Sequence, residues 1–365
     1  MSLLHQIALT KINGVGPVIA RHLLDHFQAA EAIFAAPRKE LLAIPGIGSR
    51  LAAAILEARV LREAENELRF IEKHRIQTLF WNENSYPKRL KECPDAPLLL
   101  YYKGNTDLNA SRIISIVGTR NATSYGKLIC SEFVRDLQPY GVSVISGLAY
   151  GIDSHAHRNA LTYGLPTVGV LGHGLDRIYP SANREMAARM LDQGGLLTEF
   201  PSGTNPDKRN FPMRNRIIAG LSDVTIVIEA AIKGGALITA EIANTYNRDV
   251  CAFPGNLNQE FSSGCNYLIK TNRAHLITGA TDLAYLMNWE IDERKQPPKQ
   301  LPLHVSLDKT EQQVYDAIQA AGQIAIDELS RRLQWPQSKL AITLLEMEIK
   351  GVIAVLPGWV YRILN

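Results

Sequence analysis

Cysteine is sparse in this sequence. Cys93, Cys130, Cys251 and Cys265 lie far apart and form no CxxC pair. That pattern disfavours a disulfide framework or a zinc ribbon and fits a reducing compartment. No apolar run free of charge approaches the length of a membrane span, and the N-terminus lacks the basic start and apolar stretch of a signal peptide. A cytoplasmic protein with no membrane partner is expected. No Walker A sequence occurs, so ATP hydrolysis is disfavoured. The dinucleotide fingerprint is missing too: GxGxxG spacing does not follow Gly118, and no acid ends the second strand where a ribose would need it. Nor is there a large excess of one charge. Lys and Arg number 39 against 36 Asp and Glu, a net of +3, with a pI near 8.6. Such a balance permits nucleic acid but argues for it only where the charge is clustered.

What is present is an ordinary globular composition, 46% hydrophobic and 21% charged over 365 residues. That length suffices for two or three domains. Residues 1–78 read as helical, with Leu51, Ile55, Ala58 and Leu61 at helical spacing. Residues 79–289 alternate helical stretches with short apolar runs at 113–117, 142–145, 167–171, 224–228 and 250–253, the pattern of buried parallel strands in a doubly wound sheet. A Pro- and Lys-bearing linker is expected over 290–302. Residues 303–365 read as three helices and a hairpin turning at Pro357 and Gly358, the order of a winged helix. The expected class is therefore α/β: an extended Rossmann-like parallel sheet between an N-terminal helical domain and a C-terminal winged helix.

Two segments near the start repeat one device. Ile12-Asn13-Gly14-Val15-Gly16-Pro17 and Ile44-Pro45-Gly46-Ile47-Gly48-Ser49 each place two glycines around an aliphatic residue ahead of a helix. The glycines allow a tight turn, and the amides at the helix start suit a phosphate. The pair resembles the helix-hairpin-helix of DNA-binding proteins, the second copy more closely. A purely structural helix connection is the plain alternative, since residues 1–75 carry ten Lys or Arg against eight Asp or Glu.

Ligands of open parallel sheets bind at the carboxyl ends of the strands, and here those ends are rich in small residues. They read Val117-Gly118-Thr119-Arg120, Ser146-Gly147-Leu148-Ala149-Tyr150-Gly151, Leu171-Gly172-His173-Gly174 and, after Glu229, Lys233-Gly234-Gly235-Ala236. The densest positive charge is Lys208-Arg209-Asn210-Phe211-Pro212-Met213-Arg214-Asn215-Arg216. Guanidinium groups pair with phosphate and a ring offers a face to a base. Equally, Phe211 could be core and the arginines could pair with acids such as Glu199 or Glu241.

These residues together resemble the DNA-processing protein A family (DprA, also called Smf). The resemblance covers about residues 85–280 and rests on ordered matches, among them Tyr86-Pro87, Lys103-Gly104-Asn105, Ile116-Val117-Gly118-Thr119-Arg120, Ser124-Tyr125-Gly126, Ser146-Gly147-Leu148-Ala149, Gly151-Ile152-Asp153, Ala156-His157, Tyr179-Pro180, Asn210-Phe211-Pro212, Arg214-Asn215-Arg216-Ile217-Ile218, Thr239-Ala240 and Pro254-Gly255. It implies binding of single-stranded DNA, loading of a RecA-type recombinase during natural transformation, and homodimers formed through the Rossmann domain. From residues and resemblance together, DNA contact is expected at Gly118, Thr119, Arg120, Ser146, Gly147, Lys208, Asn210, Phe211, Arg214, Arg216, Lys233, Gly234 and Gly235, with no catalytic residue, metal or cofactor. Arg120, Lys208 and Arg214 are expected on phosphates, Phe211 on a base or sugar, and Gly118, Gly147 and Gly235 where the strand nears the backbone. Three departures from the family stand out: Tyr150 where a basic residue is usual, Gly234-Gly235-Ala236 in place of Ser-Gly-Ser, and Asn272-Arg273-Ala274 in place of an acid and Gly-Ala.

A nucleotide-processing enzyme of the phosphoribohydrolase type is the rival reading, with Glu229 and Glu241 as its carboxylates. It needs a Pro-Gly-Gly-x-Gly-Thr run, and Ala236-Leu237 interrupt the cup. Asp153 and His157, one helical turn apart, could face one ion, but two ligands make a poor metal site. Residues 303–365 carry six Lys or Arg against seven Asp or Glu. Duplex reading needs several cations on one face, so protein contact is the expected role there.

Overall fold

The computed structural model describes residues 2–290, 307–356 and 358–363. The chain divides into two compact units, Met1–Gln296 and Pro297–Asn365. Most of the expected linker, from 291 onward, lies outside the described residues, as does Pro357 of the expected hairpin turn.

The first unit opens with helices α1 (Leu3–Lys11), α2 (Pro17–Phe27), α3 (Ala30–Ala35), α4 (Arg38–Leu42), α5 (Ser49–Ile55) and α6 (Ala58–His74). The two glycine hairpins precede α2 and α5. Gly14 and Gly46 take φ of +88° and +87°, a region costly for any side chain, while Gly16 and Gly48 cap the following helices.

A nine-stranded sheet follows, made of β1 (Gln77–Phe80), β2 (Leu99–Gly104), β3 (Ile113–Val117), β4 (Ser143–Ser146), β5 (Thr167–Val170), β6 (Gly194–Thr198), β7 (Val224–Val227), β8 (Asp249–Ala252) and β9 (His275–Leu276). Their order across the sheet is β1-β2-β6-β5-β4-β3-β7-β8-β9. β1 and β2 run antiparallel to their neighbours and the rest are parallel. Between them run α7 (Lys88–Lys91), α8 (Ser124–Asp136), α9 (Ile152–Thr162), α10 (Arg184–Gln193), α11 (Asn210–Leu221), α12 (Gly235–Thr245) and α13 (Ser263–Lys270), and α14 (Ala280–Leu286) follows β9. β3 is buried at all five positions, as a strand covered on both faces must be. Each of its isoleucines removed from water stabilises by about 1.5–3 kcal/mol.

The boundary expected at residue 78 falls inside β1. Phe80, Leu98, Leu99 and Tyr101 pack with Ile7, Leu9, Leu23 and Ile33 in one core, so the helices and the antiparallel edge of the sheet form one body. Arg21 of α2 adds to this by donating to the carbonyls of Pro94 and Ala96.

The second unit contains α15 (Lys309–Ala321), β10 (Gln323–Ala325), α16 (Ile326–Leu333), α17 (Gln337–Ile349), β11 (Ile353–Leu356) and β12 (Val360–Ile363). The expected three helices and hairpin are all there, and β10 adds a third strand beside β12. A capping box of Asp308 and Glu311 starts α15.

Candidate nucleic-acid interface

The chain leaves β3 through α8 toward β4, and later returns to lay β7 on the opposite side of β3. Strand order therefore reverses between β3 and β7, and open α/β sheets bind ligands in the crevice outside such a point. A cavity of about 610 Å³ opens there. Its lining includes Gly118, Thr119 and Arg120 after β3, Lys208, Phe211 and Arg214 around the start of α11, and Gly234 and Gly235 at the start of α12.

Arg120 and Lys208 are exposed, and neither takes part in an ion pair among the described residues. Phe211 lines the same cavity. Its ring sits 5.6 Å from the Arg120 guanidinium carbon and 6.1 Å from the ring of half-exposed Tyr179. A Cβ at Gly172 would come within 3.0 Å of the Phe211 ring, so the bare backbone at 172 seats it. Phe211 is thus neither core nor free; it is a partly buried platform with one cation over it. No side chain caps α12 at Gly234, and a Cβ on Gly235 would meet nothing within 4 Å. The amides and dipole of that helix start are open to an anion.

Arg214 forms part of the cavity wall but is only 4% exposed. Burial pushes its pKa down to about 10, and Arg120 pushes the same way, while Asp153 opposes both. Asp153 is itself buried, which raises its pKa against the pull of Arg214 and the amides of Ala149 and Gly147. Nε and Nη1 of Arg214 have no hydrogen-bond partner. Its charge supports the cavity from beneath, with only Asp153 to balance it against Arg120. An anion above the two guanidinium groups would relieve that repulsion.

Several expectations change here. A Cβ at Gly147 would fall 1.6 Å from Nη1 of Arg214, so the glycine makes room for the arginine. Gly118 lines the cavity but is also packed, its Cβ position lying 2.5 Å from Ile152. Ser146 is buried and donates to the carbonyl of Ile116. Arg216 is withdrawn from the interface: it pairs with Glu199 and donates to the carbonyl of Asp95. Two residues apart on one helix, Arg214 and Arg216 point to opposite sides. Asn210 donates to the carbonyl of Asn205, and Lys233 is exposed; neither lines the cavity. Tyr179, Asn215, Thr239 and Phe261 do line it. The first three stand in the family motifs Tyr179-Pro180, Arg214-Asn215-Arg216 and Thr239-Ala240; Phe261 carries no signal in the sequence.

Among the described residues no group of three metal-ligating side chains exists. His157 is fully buried with Nδ1 2.7 Å from the Thr167 hydroxyl, and Asp153 faces Arg214. Burial first, and Arg214 second, hold the His157 pKa down at about 3 against an ordinary 6.5. A histidine kept neutral by folding stabilises fully above pH 6.5, and this contribution is lost as pH falls from 6.5 toward 3. Unfolding titrations of the protein and of His157→Gln across that window should therefore diverge. The variant should lose less stability on acidification, by about 1.4 kcal/mol per pH unit at most. Parallel curves would contradict the assignment.

The sequence model of DNA recombination-mediator protein A matches residues 77–288, a SAM-like helix-hairpin-helix tandem matches 7–59, and the DprA winged helix domain matches 295–358. Protein Smf of a Synechocystis strain is 37% identical over 81% of this chain and 75% of its own length. Protein Smf of Escherichia coli is 33% identical over 86% and 88%. The crystal structure of DNA processing protein A from Streptococcus pneumoniae superposes with a TM-score of 0.69 at 32% identity, covering 80% of this chain and 99% of that one. That of the Helicobacter pylori protein, described for its single-stranded DNA binding mode, reaches 0.54 at 31% identity over 59% and 97%. With its Rossmann-like domain, hairpin tandem and winged helix all matched, the chain belongs to the DNA recombination-mediator protein A family.

Proposed function

We propose that this protein binds single-stranded DNA in the cavity between β3 and β7, protects it, and loads a RecA-type recombinase onto it during natural transformation. The reading places it in the cytoplasm as a homodimer joined through the Rossmann-like domain. The observation that carries it is one cavity lined by two exposed cations, Arg120 and Lys208, and by the partly buried ring of Phe211 with Arg120 over it, beside an uncapped helix start. That set offers phosphate contacts and an aromatic face in a cleft, which is what a single strand needs. The strand-binding relative from Helicobacter pylori supports it, as does the absence, among the described residues, of any helix long and apolar enough to cross a membrane.

The phosphoribohydrolase reading lacks support. Glu229 accepts from the amide and hydroxyl of Thr123, and Glu241 pairs with Arg273, so neither carboxylate is held ready for substrate. The winged helix favours protein contact. The one cation on α17, Lys339, lies 3.8 Å from the Trp335 ring centre. Lys350, which follows the helix, donates to buried Glu311. The exposed side chains of α17 include Ile342, Leu345 and Ile349.

Anisotropy titration of oligothymidine and of duplex of equal length tests the reading. The single strand should bind more tightly, and affinity should fall with salt by about 0.7 log units per log unit for each phosphate held. Deleting residues 303–365 should change oligothymidine affinity by less than about tenfold, or about 1.4 kcal/mol. Equal duplex affinity, or no salt dependence, would overturn the strand-binding reading, and a larger loss on truncation would return the winged helix to the DNA.

A further inference from the structure

A second cavity, of about 750 Å³, lies between the first turn of α8 and the loop after β8. Phe261 lines both cavities, so the two share a wall at the carboxyl edge of the sheet. No lysine or arginine lines it; its charged member is Glu229, whose two oxygens accept from the amide and hydroxyl of Thr123 at 3.0 and 2.6 Å. A carboxylate at the start of α8 already answers that helix dipole, so this cavity repels phosphate where the first attracts it.

Its walls are preformed. The Tyr125 hydroxyl, from α8, donates to the carbonyl of Pro254. Asn266 of α13 holds the opposite loop by both backbone groups of Gly255, accepting from its amide and donating to its carbonyl. The carboxamides of Asn256 and Gln259 are exposed among the lining groups, and Tyr125 is 43% exposed. A rigid slot with an aromatic wall, amide donors and acceptors, and no cation suits a neutral planar group carrying hydrogen-bonding edges.

We infer that this second cavity receives a nucleobase of the same strand whose phosphates lie over Arg120 and Lys208, with Tyr125 as its wall and Asn256 and Gln259 at its edge. The inference rests on the strand-binding reading of the first cavity. Together the two cavities sort the strand by chemistry, phosphate to the basic one and base to the neutral one.

Oligothymidines of increasing length, each also made with a single abasic position moved along it, test this by anisotropy against the full-length protein, Asn256→Trp and Gln259→Ala. Both positions are exposed, so the variants should keep the parent melting temperature. On the shortest oligonucleotide that binds, both variants should match the parent. On longer ones Asn256→Trp should bind about tenfold more weakly, the loss of one seated base, and the abasic position that weakens the parent should no longer weaken it further. Gln259→Ala should move the same way by less. If both variants follow the parent at every length, or weaken all lengths equally, the second cavity does not receive a base. If Lys208→Ala weakens all lengths while both variants follow the parent, this inference alone falls; if the parent binds no strand at all, the reading of the first cavity falls with it.

Discussion

Arg120→Ala combined with Lys208→Ala should lower oligothymidine affinity by about a hundredfold while leaving the fold intact. Both side chains are exposed and make no ion pair among the described residues, so their removal uncovers no buried partner. A hydrogen bond to a charged group contributes about 1.5–3 kcal/mol, so two at the lower end give about 3 kcal/mol. The slope of log affinity against log salt should also flatten by about 1.4 units, at about 0.7 per phosphate released. Phe211→Ala separates charge from contact. It should weaken binding by about 1–3 kcal/mol with an unchanged salt slope. A double variant that stays folded and binds like the parent would place the strand elsewhere.

The second large effect is on stability. Arg214→Ala leaves Asp153 buried beneath the cavity without the positive charge that draws its pKa down, and leaving a buried charge uncompensated costs about 3–5 kcal/mol. Gly147→Ala should approach the same loss by another route, since its Cβ would lie 1.6 Å from Nη1 of Arg214 and 2.6 Å from Oδ2 of Asp153. Both should lower the melting temperature by on the order of 10 °C. Joining Asp153→Asn to Arg214→Met should recover part of it, because the orphaned charge is then gone. A double variant as unstable as the sum of its parts would show that the two residues do not act as a pair. Weakened DNA binding by Arg214→Ala alone would therefore be a stability effect as much as a lost contact.

The parallel centre of the sheet and the place of the cavity were legible because both follow from local pattern. Short apolar runs such as Ile113–Val117 can only be buried strands at that spacing, and glycines crowd their carboxyl ends where a ligand must approach. β6 was not legible. Its Gly194-Gly195 start carries no side chain to mark a strand, and the structure needs glycine there because a Cβ on 194 would strike the carbonyl oxygen of Thr167 and one on 195 the ring of Tyr102. Within the basic stretch, composition located the interface but could not rank its arginines. Which of Arg214 and Arg216 faced the cavity depended on acids far away in sequence, Asp153 and Glu199. The glycine at 147 marks a close approach, and in the structure Nη1 of Arg214 lies within 1.6 Å of where its Cβ would be. The shared core of the N-terminal helices and β1 escaped for a similar reason: amphipathic helices announce a buried face without announcing what covers it.

Hydrogen exchange of the full chain, with and without a saturating oligothymidine, tests the central claim most directly. If the strand lies at the switch point, protection should appear at the amides of residues 118–120, 208–211 and 234–236, strongest at Gly235 and Ala236 in the open first turn of α12. Protection confined to the hairpins around Gly14 and Gly46, or to residues 309–363, with those three segments unchanged, would contradict it.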